Sequence, residues 1–403
     1  MNKHPFLLLI GSVLLLINTG CKKNYYNGKQ LQDKLQKILE QHLSTYKKQF
    51  GDKTIGFGLY IKSPSGGIYA SSGFPETMGE DIHFRGASTT KTFTAASILK
   101  LHRQGKLNID DLITANIPGT NQPYIPATSG YDVPNKNNIT IRLLLQHRAG
   151  VFDVTNTNIP DTVNAPYAGQ RYFDYVMDQK GADYTFSFAE MIGVAAKNHL
   201  SYFVPDTAFH YSNTGYNLLA VIIERVSGKR YHQFLQDEFL TPLQMTHTSF
   251  PYLGTDQQIP APYEPGWLKI NNSLVAYDKD NASFAVSEGN IISTPADLAN
   301  WAYTLYGTNK IVNEDLHNQM IDVSPSYDVN VNYGLGTTAY PAELGYGHDG
   351  VRPAYMTIMR YNPETKSSYV LFANFLNFDA AVAQGNDLHE IVKEAIKAVE
   401  ASR

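Results

Sequence analysis

Ser88-Thr89-Thr90-Lys91 places a hydroxyl and an amine three residues apart. On a helix the two side chains share one face, near enough for the amine to take the hydroxyl proton and leave an activated nucleophile. The same pattern at Ser44 to Lys47 falls on a charged amphipathic segment whose periodicity explains it. Ser88 instead follows a Gly86-Ala87 step that permits a tight turn, and it opens an apolar run (Phe93, Ala95, Ala96, Ile98, Leu99, Leu101) that reads as buried helix. Tyr211-Ser212-Asn213 precedes an apolar helix from Tyr216 to Val226, so a phenol and an amide two residues apart both reach toward a cleft. Gly345-Tyr346-Gly347-His348-Asp349-Gly350 stands just before the alternating run Ala354 to Tyr361. A histidine flanked by glycines at a strand start marks backbone that a ligand approaches closely.

These groups need elements to hold them. Leu31, Leu35, Ile38, Leu39, Leu43 and Tyr46 recur at helical spacing, which predicts an amphipathic helix over 29–49. Runs at 55–62 and 67–71 flank Ser63-Pro64-Ser65-Gly66, the composition of a hairpin turn. Residues 84–300 carry mostly helical patterns with long polar loops. Strands return around Tyr346, at 354–361 and at 367–374, and a helix closes the chain near 385–402. The expected fold class is α+β: an antiparallel sheet flanked by the N- and C-terminal helices, with an all-helical lobe inserted between strands two and three. The expected catalytic domain is 29–403, with a sheet lobe of 29–83 and 301–403 and a helical lobe of 84–300. Ligand sites commonly form at such junctions, and the three groups would meet there.

Ser88-x-x-Lys91, Tyr211-x-Asn213 and His348-x-Gly350, in that order, resemble the three elements of the serine β-lactamase and penicillin-binding protein superfamily. The nearest branch looks like class C β-lactamases with D-alanyl-D-alanine carboxypeptidases, D-aminopeptidases and esterases. The resemblance extends over most of the chain. Gly105 to Asp111, Ile139 to Gly150 and Ser293 to Trp301 look like that branch's connecting segments.

The resemblance implies a β-lactamase/DD-peptidase-like fold and a serine hydrolase working through an acyl-serine intermediate. Attack by Ser88 needs a base, and an unperturbed lysine near pH 10.4 is almost wholly protonated at neutrality. Burial and a neighbouring cation would lower that value, and Lys91, Tyr211 and His348 in one cleft could share a proton, with either the amine or the phenolate as acceptor. Asn213 is expected to hold Lys91 and a substrate amide. By resemblance, the main-chain N–H groups of Ser88 and Val351 form the oxyanion hole. Gly350, Val351 and Arg352 complete the expected binding strand. Asp349 and Val351 depart from the family pattern, since they stand where related enzymes carry hydroxyls that receive a substrate carboxylate. An acid there would repel such a carboxylate by roughly 4 kcal/mol at about 4 Å and an effective dielectric near 20. Penicillins and D-Ala-D-Ala termini are therefore expected to be poor ligands, and neutral or amine-bearing substrates are favoured. Arg352 is placed either to neutralise Asp349 or to take the carboxylate itself.

Composition bounds the alternatives. The chain has 403 residues, 43% of them hydrophobic, enough for a substantial core. A formal charge of −4 and scattered lysines give no electrostatic support for nucleic-acid binding. The twelve histidines include no paired metal-ligand spacing, and no phosphate loop or dinucleotide fingerprint is present, so neither a metal nor a cofactor is expected. Lys3 and His4 precede the apolar run Phe6 to Ile17, which reads as a signal peptide over 1–20. Asn18-Thr19-Gly20-Cys21 resembles a bacterial lipoprotein box with Asn18 where an aliphatic residue is usual, and Cys21 is the chain's one cysteine. Lipidation of Cys21, a tether over 21–28 and an exported, membrane-anchored protein of the cell envelope are the expectation. Partners would be a small-molecule or peptide substrate and the membrane through the lipid. The competing functions are a penicillin-binding or ligand-sensing lipoprotein with little turnover, and a structural envelope protein on a reused fold.

Overall fold

The computed structural model describes residues 28–324 and 332–403. The expected signal peptide, Cys21 and nearly all of the tether lie outside the described residues. Twenty main elements run in the order α1 (Gly28–Phe50), β1 (Phe57–Ser63), β2 (Gly66–Ser72), β3 (Phe84–Ala87), α2 (Thr90–Arg103), α3 (Ile141–Leu145), α4 (Tyr172–Lys180), α5 (Phe188–Lys197), α6 (Asn213–Ser227), α7 (Tyr231–Leu235), β4 (Gly266–Ile270), β5 (Ser273–Tyr277), β6 (Ile291–Ser293), α8 (Pro295–Gly307), α9 (Glu314–Ile321), β7 (Tyr346–Arg352), β8 (Tyr355–Asn362), β9 (Ser367–Ala373), β10 (Phe375–Asn377) and α10 (Ala381–Glu400).

The main sheet has the order β2-β1-β9-β8-β7 and is antiparallel throughout. Strands β8 and β9 are buried along their whole length, polar Thr357, Arg360, Ser367 and Ser368 included. One reason is that helices cover both faces. On one side α1 packs on β2 and α10, and it buries Leu31, Leu35, Ile38, Leu39, Leu43, Tyr46 and Phe50, the stripe that its periodicity marks. On the other side α8 lies across β1, β8 and β9. Each fully buried side chain of this size contributes about 1.5–3 kcal/mol, so helix docking rather than helix propensity holds the layers together.

Between β3 and β6 the chain builds its second lobe. Helix α2 is buried on nearly every side and packs against α6. It is also pinned to the sheet side: Phe93 stacks on Trp301 of α8 at 3.7 Å, and the indole N–H donates to Thr92 Oγ1 at 2.8 Å. A satellite core of Phe152, Val154, Ile159, Val176, Phe186 and Met191 fixes the long loops around α4 and α5. Helices dominate from α2 to α7. The hairpin β4–β5, which the sequence pattern does not announce, returns to the sheet side through parallel pairing of β4 with β10.

Candidate active site

Ser88 stands in the turn between β3 and α2. The residue before it, Ala87, has φ +48°, a conformation that costs a non-glycine residue energy and persists only when the surroundings enforce it. The enforcement is visible. The Thr89 and Thr90 hydroxyls donate to the carbonyls of Gly86 and Ala87 at 2.9 and 2.8 Å, and Thr90 Oγ1 accepts the Ile291 N–H of β6 at 3.1 Å. A side chain on Gly86 would meet Ile291 and Thr89 at 2.8 Å, so that position needs glycine. Ser88 is thereby held at the start of the helix whose first turn carries Lys91. Lys91 Nζ lies 3.4 Å from Ser88 Oγ and donates to the main-chain carbonyl of Glu288 at 2.8 Å. Its amine is fully buried, and burial lowers its pKa to about 8 against the opposing pull of Glu288 and Asp153.

Ser212 caps α6 by accepting the Gly215 N–H, which sets Tyr211 and Asn213 at the helix entrance. Lys91 Nζ sits over the Tyr211 ring, 4.7 Å from its centroid. Burial pushes the Tyr211 phenol well above its usual value, and the nearby Ser88 hydroxyl only partly offsets that rise. The phenolic oxygen is buried with no hydrogen-bond partner among the described residues, and the same holds for Asn213 Oδ1. Asn213 makes no hydrogen bond to Lys91, whose nitrogen is engaged by Glu288 and Ser88 instead.

His348, on β7, closes the base of the site beside Tyr211, with ring centroids 6.3 Å apart. Its Nε2 is 3.0 Å from the Tyr333 hydroxyl and its Nδ1 is 2.6 Å from the Asp349 carbonyl. Burial and the neighbouring Lys91 pull its pKa down to about 3, so it stands as a neutral ring and takes no part in the proton sharing expected from sequence. Sequence reading missed Tyr333 altogether. It also missed His147 as a site residue: that ring lies 4.2 Å from Tyr211, accepts the Ser212 N–H at 3.1 Å, and is held neutral by burial and Lys91.

The binding strand differs from expectation at one residue. Alternation along β7 sends Asp349 to the face opposite His348, where its carboxylate pairs with Arg360 at 2.6 Å and with His389 of α10 at 2.8 Å. Burial raises its pKa, yet these partners hold it down to about 2. Asp349 is not brought to the cleft, and the expected repulsion of a substrate carboxylate has no structural basis. Arg352 does not rescue Asp349 either: it pairs with Asp280 and lies 5.0 Å over Phe284. Gly350 is required by close approach, since a Cβ there would sit 2.3 Å from the Gly86 carbonyl. Val351 and Arg352 line the same cavity of about 390 Å³ as Ser88 and Asn213.

One wall of that cavity carries acids that sequence reading did not single out. Glu288 is 1% exposed; its Oε1 accepts the Thr155 hydroxyl at 3.0 Å, and burial raises its pKa to about 8. Asp153 is buried behind it, accepting the Thr155 N–H at 3.0 Å, and burial raises its pKa too. For Asp153 the available signal was an acid inside the otherwise apolar stretch Val151 to Val154; Glu288, beside Ser287 and near Asn290, had no such mark. Among the described residues no cluster of metal-ligating side chains is present.

A turn-mounted serine, a buried lysine of lowered pKa and a phenol at an inter-lobe cleft define a serine hydrolase of the acyl-enzyme type. The family model described as Beta-lactamase matches residues 29–392, and the chain belongs to that family. Penicillin-binding protein 4* of Bacillus subtilis (strain 168) is 26% identical over 348 residues, covering 81% of this chain and 70% of its own length. Protein flp of Staphylococcus aureus (strain MW2) is 25% identical over 302 residues, covering 72% of this chain, which spans only about half, 52%, of that relative. Among solved structures, the D-amino acid amidase from Ochrobactrum anthropi SV3 complexed with D-phenylalanine superimposes with a TM-score of 0.71 at 23% identity, over 93% of this chain and 100% of its own. That likeness establishes the β-lactamase/DD-peptidase-like fold.

Proposed function

We propose that the protein is an exported serine hydrolase that cleaves amide or ester bonds of peptides, cell-wall fragments or small esters through acyl-Ser88. The observation that carries the reading is the 3.4 Å contact between Ser88 Oγ and a buried Lys91 amine whose pKa is lowered to about 8. Lys91 rather than Tyr211 is the base, because burial favours the free amine and disfavours the phenolate. Ser88 Oγ bonds to the substrate carbonyl carbon as its proton passes to Lys91. The N–H groups of Ser88 and Val351 receive the oxyanion, each donor being worth about a hundredfold or more. Collapse breaks the bond to the leaving group, which takes the proton from Lys91. Water then attacks the acyl carbon and gives its proton to the same amine; collapse breaks the bond from the acyl carbon to Ser88 Oγ, which takes that proton back from Lys91 and restores both groups. Removal of 1–20 and lipidation of Cys21 would put this chemistry at the bacterial envelope. The test is intact mass after exposure to a fluorophosphonate, penicillin and simple esters. Ser88 should acquire the adduct and Ser88→Ala should lose both adduct and turnover while keeping the fold. Hydrolysis by Ser88→Ala at parental rates would refute the assignment, and a burst without turnover would favour a penicillin-binding sensor.

A further inference from the structure

The cleft contains acceptors with nothing to accept. Glu288 Oε2 and Asn213 Oδ1 are both buried and both lack a hydrogen-bond partner among the described residues, and both residues line the cavity that holds Ser88. A buried carboxylate oxygen left unpaired is costly, and proteins seldom keep one without a use. Three features aim this one. Thr155 fixes the other oxygen of the same carboxyl. Asp153 stands behind it, buried, and adds to the negative potential. Neither acid has a lysine or arginine ion-pair partner among the described residues: Arg352 is taken by Asp280, and Lys91 Nζ bonds Ser88 and the main-chain carbonyl of Glu288, although its charge still acts on both carboxyls.

The position suits a substrate group and not a remote ion. Lys91 Nζ ties Ser88 Oγ to the main chain of Glu288, and Ser88, Asn213 and Glu288 line one cavity. An acyl carbon bonded to Ser88 therefore puts its α-substituent, two bonds from that carbon when it is nitrogen, beside this wall. A protonated amine there supplies the donors that Glu288 Oε2 and Asn213 Oδ1 lack, and its charge draws Glu288 into the ionised form that burial alone disfavours.

We infer that Glu288, with Asn213, forms an ammonium subsite next to Ser88, so that the substrates are acyl compounds bearing a free α-amine: amino-acid amides, amino-acid esters or peptides cleaved after their first residue. The inference rests on the acyl-Ser88 reading above and names the substrate class for that site. Glu288 acts as a specificity determinant that touches substrate.

The test compares alanine 4-nitroanilide, in both enantiomers, with its N-acetyl and des-amino (propionyl) counterparts. The parent should prefer the better amine-bearing enantiomer by on the order of a hundredfold in kcat/KM, mainly through KM, as expected when one partner of a buried charge pair is missing. In Glu288→Gln that ratio should fall to within about threefold, and Thr155→Val, which frees the carboxyl to rotate, should erode it several-fold. The ratio is internal to each variant, so a general loss of activity cancels. A second arm needs no variant: 2-phenylethylammonium should slow fluorophosphonate labelling of the parent and 2-phenylethanol should not. Equal rates for amine-bearing and des-amino substrates in the parent, or an unchanged ratio in Glu288→Gln, would overturn the subsite. Equal effects of the ammonium and the alcohol would do the same. Labelling of Ser88 without amine preference sinks this inference alone, whereas absence of both labelling and turnover sinks the serine-hydrolase reading on which it rests.

Discussion

Nε2 of His348 lies 3.0 Å from the Tyr333 hydroxyl, and that contact fixes the protonation of the histidine. Nδ1 faces the Asp349 carbonyl, which only accepts, so Nδ1 carries the hydrogen and Nε2 accepts from Tyr333. A ring satisfied at both nitrogens, buried and beside Lys91, has no use for a second proton. The three-way proton sharing expected from sequence thus reduces to Lys91 and its immediate neighbours.

The first prediction follows from that neutrality. The pH profile of acylation should lack an inflection between pH 5 and 7 attributable to His348, and His348→Gln should cost only about tenfold in kcat/KM, through lost positioning. Both are read from initial rates with a neutral ester. An inflection near 6.5 that vanishes in the glutamine variant would restore a protonating role.

Lys91 should govern the alkaline side. Burial lowers its pKa to about 8, so the fraction of free amine, and with it kcat/KM, rises as pH passes through about 8 and levels above it. Lys91→Met should slow acylation at least a hundredfold, the usual size of an acid-base contribution. Tyr211→Phe keeps the ring beneath the amine and should leave the inflection in place. Glu288→Gln removes a carboxylate that raises the lysine's pKa, so the inflection should move to lower pH. An inflection that follows Tyr211 instead would make the phenol the base.

How far the site was legible in the sequence varies with the kind of constraint. Ser88, Lys91, Tyr211, Asn213 and His348 could be picked out because short spacings sit at the starts of apolar helices and a strand, where local geometry presents side chains. The terminal helices and the strands β7 to β9 were readable from periodicity for the same local reason. The face on which Asp349 falls was not: a two-residue alternation decides it, and Arg360 and His389, which hold it there, are distant in sequence. Glu288 and Tyr333 escaped notice because only tertiary packing brings them to Ser88, over separations of 200 and 245 positions, with no local motif to mark them. The β4–β5 hairpin was hidden because exposed, mixed strands carry weak alternation.

Asp349 should matter to stability and not to substrate charge. Its pKa is held at about 2 in the fold by Arg360 and His389, below the ordinary carboxylate value near 3.9. The stabilisation is therefore complete above pH 4 and is lost as pH falls through about 2. Asp349→Asn should unfold at lower denaturant concentration at pH 7, by about 2 kcal/mol, because Arg360 is left buried without its counter-charge, and should show a shallower decline between pH 4 and 2. Asp349→Thr should leave the ratio of free-carboxylate to methyl-ester substrates unchanged. A gain for the carboxylate would bring the repulsion back.

Glu288 has the opposite linkage, and it provides a test of the site without any substrate. Burial raises its pKa to about 8 in the folded protein, well above the value near 4.3 of an exposed glutamate. The folded state therefore binds the proton more tightly than the unfolded chain does, so this group favours folding fully below pH 4 and loses that contribution as pH rises through about 8. Replacing it with glutamine, which has no proton to lose, should raise Tm by a few degrees at pH 8 to 9, with a smaller change at pH 5. A stabilising substitution that abolishes discrimination among substrates would mark Glu288 as a residue kept for binding at a cost in stability. If Glu288→Gln instead lowers Tm equally at pH 5 and pH 9, the carboxyl serves packing and the hydrogen bond from Thr155, and its buried charge has no part in the fold's response to pH.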